Sequence, residues 1–213
     1  DSAALFDDLA IAVDERWSGG YCQHLNQYDV IFLNMQRFLS RSKDQGLTEY
    51  LAKTVVAELR DAYGEFFSEQ ETDLAAVLEQ IYAKTDREFI ILIDEWDCVM
   101  REKKEAEELQ RQYLDFLRNL LKDQPYVALV YMTGILPVKK YGTHSALNMF
   151  LEYSMTDQDV FEEYTGFTEA EVEELCRQSG MDFVQTGSWY DGYQFTEFRH
   201  IYNPKSVVEA MRR

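Results

Sequence analysis

Apolar positions along this chain keep two rhythms, and the switches between them mark where strands give way to helices. Val30-Ile31-Phe32-Leu33-Asn34-Met35 is apolar on both sides of an extended backbone and is entered from a polar stretch, the pattern of a short strand buried in a parallel sheet. Its polar residue, Asn34, lies near the end. Leu47, Leu51, Val55, Leu59, Tyr63 and Phe66 then recur at helical spacing, and Leu74, Val77, Leu78, Ile81 and Tyr82 repeat the rhythm after a polar break. Helices are therefore predicted over both stretches. Phe89-Ile90-Ile91-Leu92-Ile93 is continuous, rich in β-branched residues and stopped abruptly by Asp94-Glu95-Trp96-Asp97, which makes it the clearest strand in the chain. From Glu105 to Lys122 another amphipathic helix is predicted, with Leu109, Tyr113, Phe116, Leu117, Leu120 and Leu121 on one stripe and Pro125 beyond its end. Tyr126 to Met132 forms the next apolar strand, and Thr133-Gly134 closes it with a small polar residue and a conformationally free one.

Alternation of strand and helix, with strands too apolar to leave either face in water, predicts an α/β fold: a mostly parallel sheet flanked by helices, of the P-loop NTPase kind. Beyond it, Thr168 and Glu171 stand at capping-box spacing before Val172, Leu175 and Cys176, so a helix is expected to start there. Pro204 opens a short closing helix. There is no internal repeat and no Pro- or Gly-rich linker. The expected organisation is a single domain, with 1–155 as a partial α/β core and 156–213 as its smaller helical part.

Composition narrows the functions available. The chain has 213 residues, 46% of them hydrophobic, enough for a full core. Its formal net charge is −18, from 39 acidic and 21 basic side chains, so the average surface repels polyanions and argues against direct nucleic-acid binding. Cys22, Cys98 and Cys176 are odd in number and widely spaced, which fits neither a disulfide framework nor a zinc site and suits a reducing cytoplasm. His24, His144 and His200 are scattered, with no carboxylate or cysteine at ligand spacing. No apolar run approaches the roughly 20 residues of a membrane span. The chain opens without Met or a signal pattern, and an upstream piece is expected.

Candidate chemistry lies at the strand ends, because ligands of open parallel sheets bind beyond the carboxyl ends of the strands. Asp94 and Glu95 occupy that position. A nucleotide–magnesium complex calls for one carboxylate near the metal, through its waters, and a second group to orient the attacking water. The bland alternative is an acidic pair that merely ends a strand in solvent. Thr133 ends the following strand and brings a hydroxyl to the same edge, where it either senses a γ-phosphate or caps its own turn. Asn34 carries the same two readings. Cys98 is expected to pack rather than react, since neighbouring carboxylates raise a thiol's pKa. Trp189-Tyr190-Asp191-Gly192-Tyr193 is expected to be a packed aromatic turn. A phosphate-cradling Gly-x-x-x-x-Gly-Lys-Ser/Thr loop is absent from all 213 residues, and its natural place is upstream of Asp1.

Several fragments, taken in order, carry a resemblance over nearly the whole chain: Leu5-Phe6-Asp7-Asp8-Leu9, Ile91-Leu92-Ile93-Asp94-Glu95-Trp96-Asp97, Thr133-Gly134-Ile135-Leu136, Tyr164-Thr165-Gly166-Phe167-Thr168, Trp189 to Tyr193, and Tyr202-Asn203-Pro204. Together they resemble the bacterial AAA-ATPase-like family, whose members are often followed by a PD-(D/E)xK nuclease-like domain. The resemblance implies ATP and Mg2+ as cofactors, Asp94 as the metal-side residue of a Walker B pair, Glu95 as the water-activating residue and Thr133 at the sensor position. It also places the missing phosphate loop shortly before the Leu5 segment. Departures are Pro137, with Lys139 and Lys140 beyond it, where a basic residue is expected, and Trp96 where tyrosine is usual. An ATPase that needs the upstream segment is the leading expectation, with oligomerisation left open. The alternative is an inactive ATPase fold serving as an interaction or regulatory module. A metal-dependent nuclease ranks last, lacking a nearby lysine.

Overall fold

In the computed structural model, which describes residues 2–14, 20–42, 46–138, 147–154, 159–193 and 200–212, the three apolar segments pair as parallel strands. They are β1 (Asp29–Asn34), β2 (Phe89–Asp94) and β3 (Val127–Met132), adjacent in that order. Asn34 stands opposite Asp94 and Ile93 opposite Met132, so all three strands finish at one rim. The ladder continues past β3: the Thr133 N–H donates to the Ile93 carbonyl at 2.9 Å and the Trp96 N–H to the Thr133 carbonyl at 3.0 Å.

Helices fill the connections. β1 passes without a loop into α1 (Met35–Ser42), followed by α2 (Leu47–Tyr63), α3 (Leu74–Thr85), the short α4 (Cys98–Glu102) and α5 (Glu107–Leu121). The hydrophobic rhythm anticipates α2, α3 and α5 but not α1, because it runs Met35 into the strand, whereas Met35 begins a helix. A polar contact makes that abrupt change of direction: Asn34 Oδ1 accepts the Arg37 N–H at 2.9 Å and so satisfies a donor of the first helical turn.

Leu33, Phe89, Ile91 and Ile93 pack with Leu51, Val55, Leu78, Ile81, Tyr113 and Leu117 in one buried core. The alternate side chains point the other way and stay open, with Val30 58%, Phe32 61%, Leu129 53% and Tyr131 49% exposed. Burial on both faces was expected, and this corrects it. Val30 pairs with Ile90 and Ile90 with Leu129, while Phe32 pairs with Leu92 and Leu92 with Tyr131, which lays two apolar rows on a face that no described helix covers. Side chains alternate along a strand, so helices packed on one side leave the other row in water.

The chain divides into two compact units, Asp1–Phe150 and Leu151–Arg213. The second is not only helical. It holds α6 (Glu169–Ser179), α7 (Phe183–Tyr190) and α8 (Pro204–Met211), together with an antiparallel sheet of β4 (Phe167–Thr168), β5 (Asp191–Tyr193) and β6 (Ile201–Tyr202) in the order β4-β6-β5. The predicted capping box at Thr168 and Glu171 is formed, and Gly180 ends α6 in the left-handed region with φ 72. Asn203 caps α8 and Pro204 takes its first turn. The segment expected to be an aromatic turn is instead the end of α7 running directly into β5, and the side chains of Trp189, Tyr190, Asp191 and Tyr193 lie outside the described residues. So do Lys139, Lys140 and His144. Among the described residues no helix is long and apolar enough to cross a membrane.

Candidate functional site

At the carboxyl rim of the sheet, each strand delivers one polar side chain to a single cluster. Asp94 is the centre. Its Oδ2 accepts from Asn34 Nδ2 at 3.0 Å and its Oδ1 from the Thr133 hydroxyl at 2.6 Å. The Arg37 N–H fixes the Asn34 amide by occupying Oδ1, so only the NH2 group is left to face Asp94. The parallel register makes the cluster possible, because it sets Asn34 directly across from Asp94. All three residues share the sheet face of the uncovered apolar rows, two positions beyond Phe32, Leu92 and Tyr131. Asp94 is half-buried and Thr133 exposed, so the cluster is open to solvent.

Glu95 does not extend the strand. Its φ of 57 lies in the left-handed region, which a residue with a side chain adopts at a cost, and it turns the chain sharply towards α4. The carboxylate leaves the Asp94 cluster and forms an ion pair with Arg101 through Oε2. Arg101 Nε also donates to Asp97 Oδ2 at 3.0 Å. Asp97 is wholly buried, and the same Oδ2 accepts the backbone N–H groups of Ile135 at 3.2 Å and Leu136 at 2.9 Å. Its other oxygen, Oδ1, is buried without a hydrogen-bond partner. Desolvation lowers the Arg101 pKa, but the charges of Asp97 and Glu95 outweigh it and hold the guanidinium above its ordinary value.

The loop after β3 closes down on this array. A Cβ on Gly134 would lie 2.6 Å from the Trp96 indole and 2.8 Å from Asp97 Oδ1, so glycine is required there by close approach. Trp96 is buried, and its carbonyl accepts the hydroxyl of the buried Tyr113 at 2.9 Å.

Against known proteins, the model of the AAA-ATPase-like family, described as predicted AAA-ATPase, matches residues 1–143. That is more than half of the chain. The chain belongs to this predicted AAA-ATPase family. It is also similar to a protein of Azotobacter chroococcum mcd 1 described as an uncharacterized protein in the vnfD 5'region, with 26% identity over 146 residues, 66% of this chain. The match spans only 28% of that protein's length.

Within this AAA-ATPase-like chain, the residues singled out from sequence are thus not all brought together. Asp94, Thr133 and Asn34 converge, whereas Glu95 turns aside to Arg101. Asp97 and Arg101 were not foreseen as site residues, although an acid followed four positions later by arginine is a readable helical pair. Cys98 is buried, and burial first, then the charge of Glu102, pushes its thiol up to about 12. It packs, as expected, and its raised pKa disfavours the thiolate. A cleft of about 290 Å³ runs between β1, α1 and α2. It meets the rim cluster only at Asn34.

Proposed function

We propose that this chain carries the metal-side and water-orienting residues of an ATP-binding and ATP-hydrolysing domain whose phosphate loop comes from polypeptide outside these 213 residues. The observation that carries this reading is the rim cluster, where Asp94, held between Asn34 and Thr133, stands at the end of an uncovered apolar sheet face. A face with Phe32 and Tyr131 in water calls for an apolar cover. A loop-and-helix unit laid over it would open at the rim, where helix N–H groups favour phosphate.

The donor set suits Mg2+. Asp94 and Thr133 offer oxygens at the rim, and Mg2+ takes one or two carboxylates plus phosphate oxygens rather than an all-protein cage. Among the described residues no group of three or more His, Cys, Asp or Glu could hold a metal alone. In this reading Asp94 would be the residue on the metal side. Each of its oxygens already accepts one hydrogen bond and keeps a lone pair. When bound there, Mg2+ would supply positive charge against that building on the phosphates. Thr133 would sense the γ-phosphate, and Glu95 would orient the attacking water with Oε1, the oxygen that Arg101 leaves free.

A second reading draws support from the Glu95–Arg101 ion pair: an inactive fold that binds a partner, with its carboxylate committed to structure. The two readings part in one experiment on the parent protein that includes the upstream segment. Titration with ATP and Mg2+ should release heat, and Glu95→Gln should keep binding while slowing hydrolysis by about a hundredfold. Magnesium-independent or absent heat selects the inactive module, and unchanged turnover in the variant removes Glu95 from its role. Cytoplasmic residence, which suits the free cysteines, and a nuclease-like domain in the same parent complete the proposal.

A further inference from the structure

Asp97 is the most constrained side chain of the site, and the reaction proposed above makes no use of it. It is fully buried, carries an oxygen with no donor, and accepts at its other oxygen from Arg101, Ile135 and Leu136. A buried carboxylate with one oxygen unsatisfied is costly to keep. Anchoring the loop alone does not require it, because an asparagine carbonyl could accept the same backbone N–H groups. Only the carboxylate adds the charge that holds Arg101 between itself and Glu95.

We propose that Asp97 is a positioning residue: through Arg101 it sets the Glu95 carboxylate, and through the Ile135 and Leu136 N–H groups it sets the loop that carries Thr133, fixing the two in one relation. This role rests on the reading of Glu95 and Thr133 given above. In that reading Asp97 and Arg101 act through Glu95 and the loop after β3, the groups to which their hydrogen bonds run. The geometry explains why the array tolerates no slack. Trp96 N–H is bonded to the Thr133 carbonyl, Gly134 packs on Trp96 and Asp97, and Glu95 is held in a left-handed turn. A shift of Asp97 moves both the water-orienting carboxylate and the Thr133 loop, and misplacement by about 1 Å costs up to about a hundredfold in rate.

The test compares Asp97→Asn, Arg101→Met and Arg101→Lys in the parent protein, with ATP affinity and turnover read separately. Asp97→Asn keeps the shape and the loop acceptor but loses the charge. Arg101 is partly exposed, so its variants are expected to fold. The expected result is a fall in kcat of about tenfold to a hundredfold for Asp97→Asn and Arg101→Met, with KM for ATP within about twofold, and partial recovery in Arg101→Lys. A lowered melting temperature with kcat per folded molecule unchanged would make Asp97 structural only and overturn the role. If the unaltered parent does not turn over ATP, the reading itself fails and this role with it. An active parent with active variants rejects the positioning role alone.

Discussion

Glu95 shows how a single residue can be placed by its sequence position and yet be aimed by its backbone. Strand alternation alone would put it on the covered face, opposite Asp94. The left-handed turn, φ 57, takes it off the strand altogether. Such a conformation costs on the order of 1–3 kcal/mol for a residue with a side chain, and glycine escapes the cost. Glu95→Gly should therefore be more stable than Glu95→Ala by about 1 kcal/mol, read as a higher urea midpoint. Equal or reversed midpoints would mean that the turn is not left-handed. Asp94 and Thr133 were legible from sequence because they end apolar runs that can only be neighbouring strands. Glu95's partner was not, since its direction depends on a turn that the residues Asp-Glu-Trp-Asp do not announce.

Among the elements, the sheet's two faces behave differently, and that asymmetry is measurable. Ile91 is fully buried against the helices, while Phe32 is 61% exposed on the other side. Ile91→Ala should cost about 2–5 kcal/mol in this chain through the lost transfer energy and the cavity left behind. Phe32→Ala should cost far less. In the parent protein, where the proposed loop-and-helix unit covers the open face, Phe32→Ala should become expensive as well. Chemical denaturation of both forms supplies the comparison, and a Phe32→Ala cost that is small in both removes the cover. The periodic helices α2, α3 and α5 were readable from their stripes. Helix α1 was not, because its eight residues follow a strand without a break and only an asparagine side chain marks the change.

The whole molecule combines an acidic surface with buried groups that resist ionising. Cys98 is raised from 9.0 to about 12, by burial and then by Glu102, and burial also raises Tyr113 and Tyr126 above 10.0. In the folded chain these groups keep their protons to higher pH than in the unfolded chain. Above the unfolded value of Cys98, the unfolded state binds fewer protons, and stability falls with rising pH. The contribution of Cys98 is complete below pH 9.0 and is progressively lost towards about pH 12. Urea midpoints should decline steadily over that window, and Cys98→Ala should flatten the decline; a midpoint that holds steady to the top of the window would contradict the burial of the thiol.

What the sequence by itself determined was the alternation of strand and helix, the capping box at Thr168, the helix that opens at Pro204, and the position of Asp94 and Thr133 at strand ends. These follow from local periodicity and from hydrogen bonds between residues close in the chain. Tertiary structure alone decided that Asn34 meets Asp94, that one sheet face stays open, and that Asp97 and Arg101 tie Glu95 to the loop after β3. Those contacts join residues far apart in sequence or hang on one backbone angle, and such relations exist only once strand register and helix packing have brought the segments together.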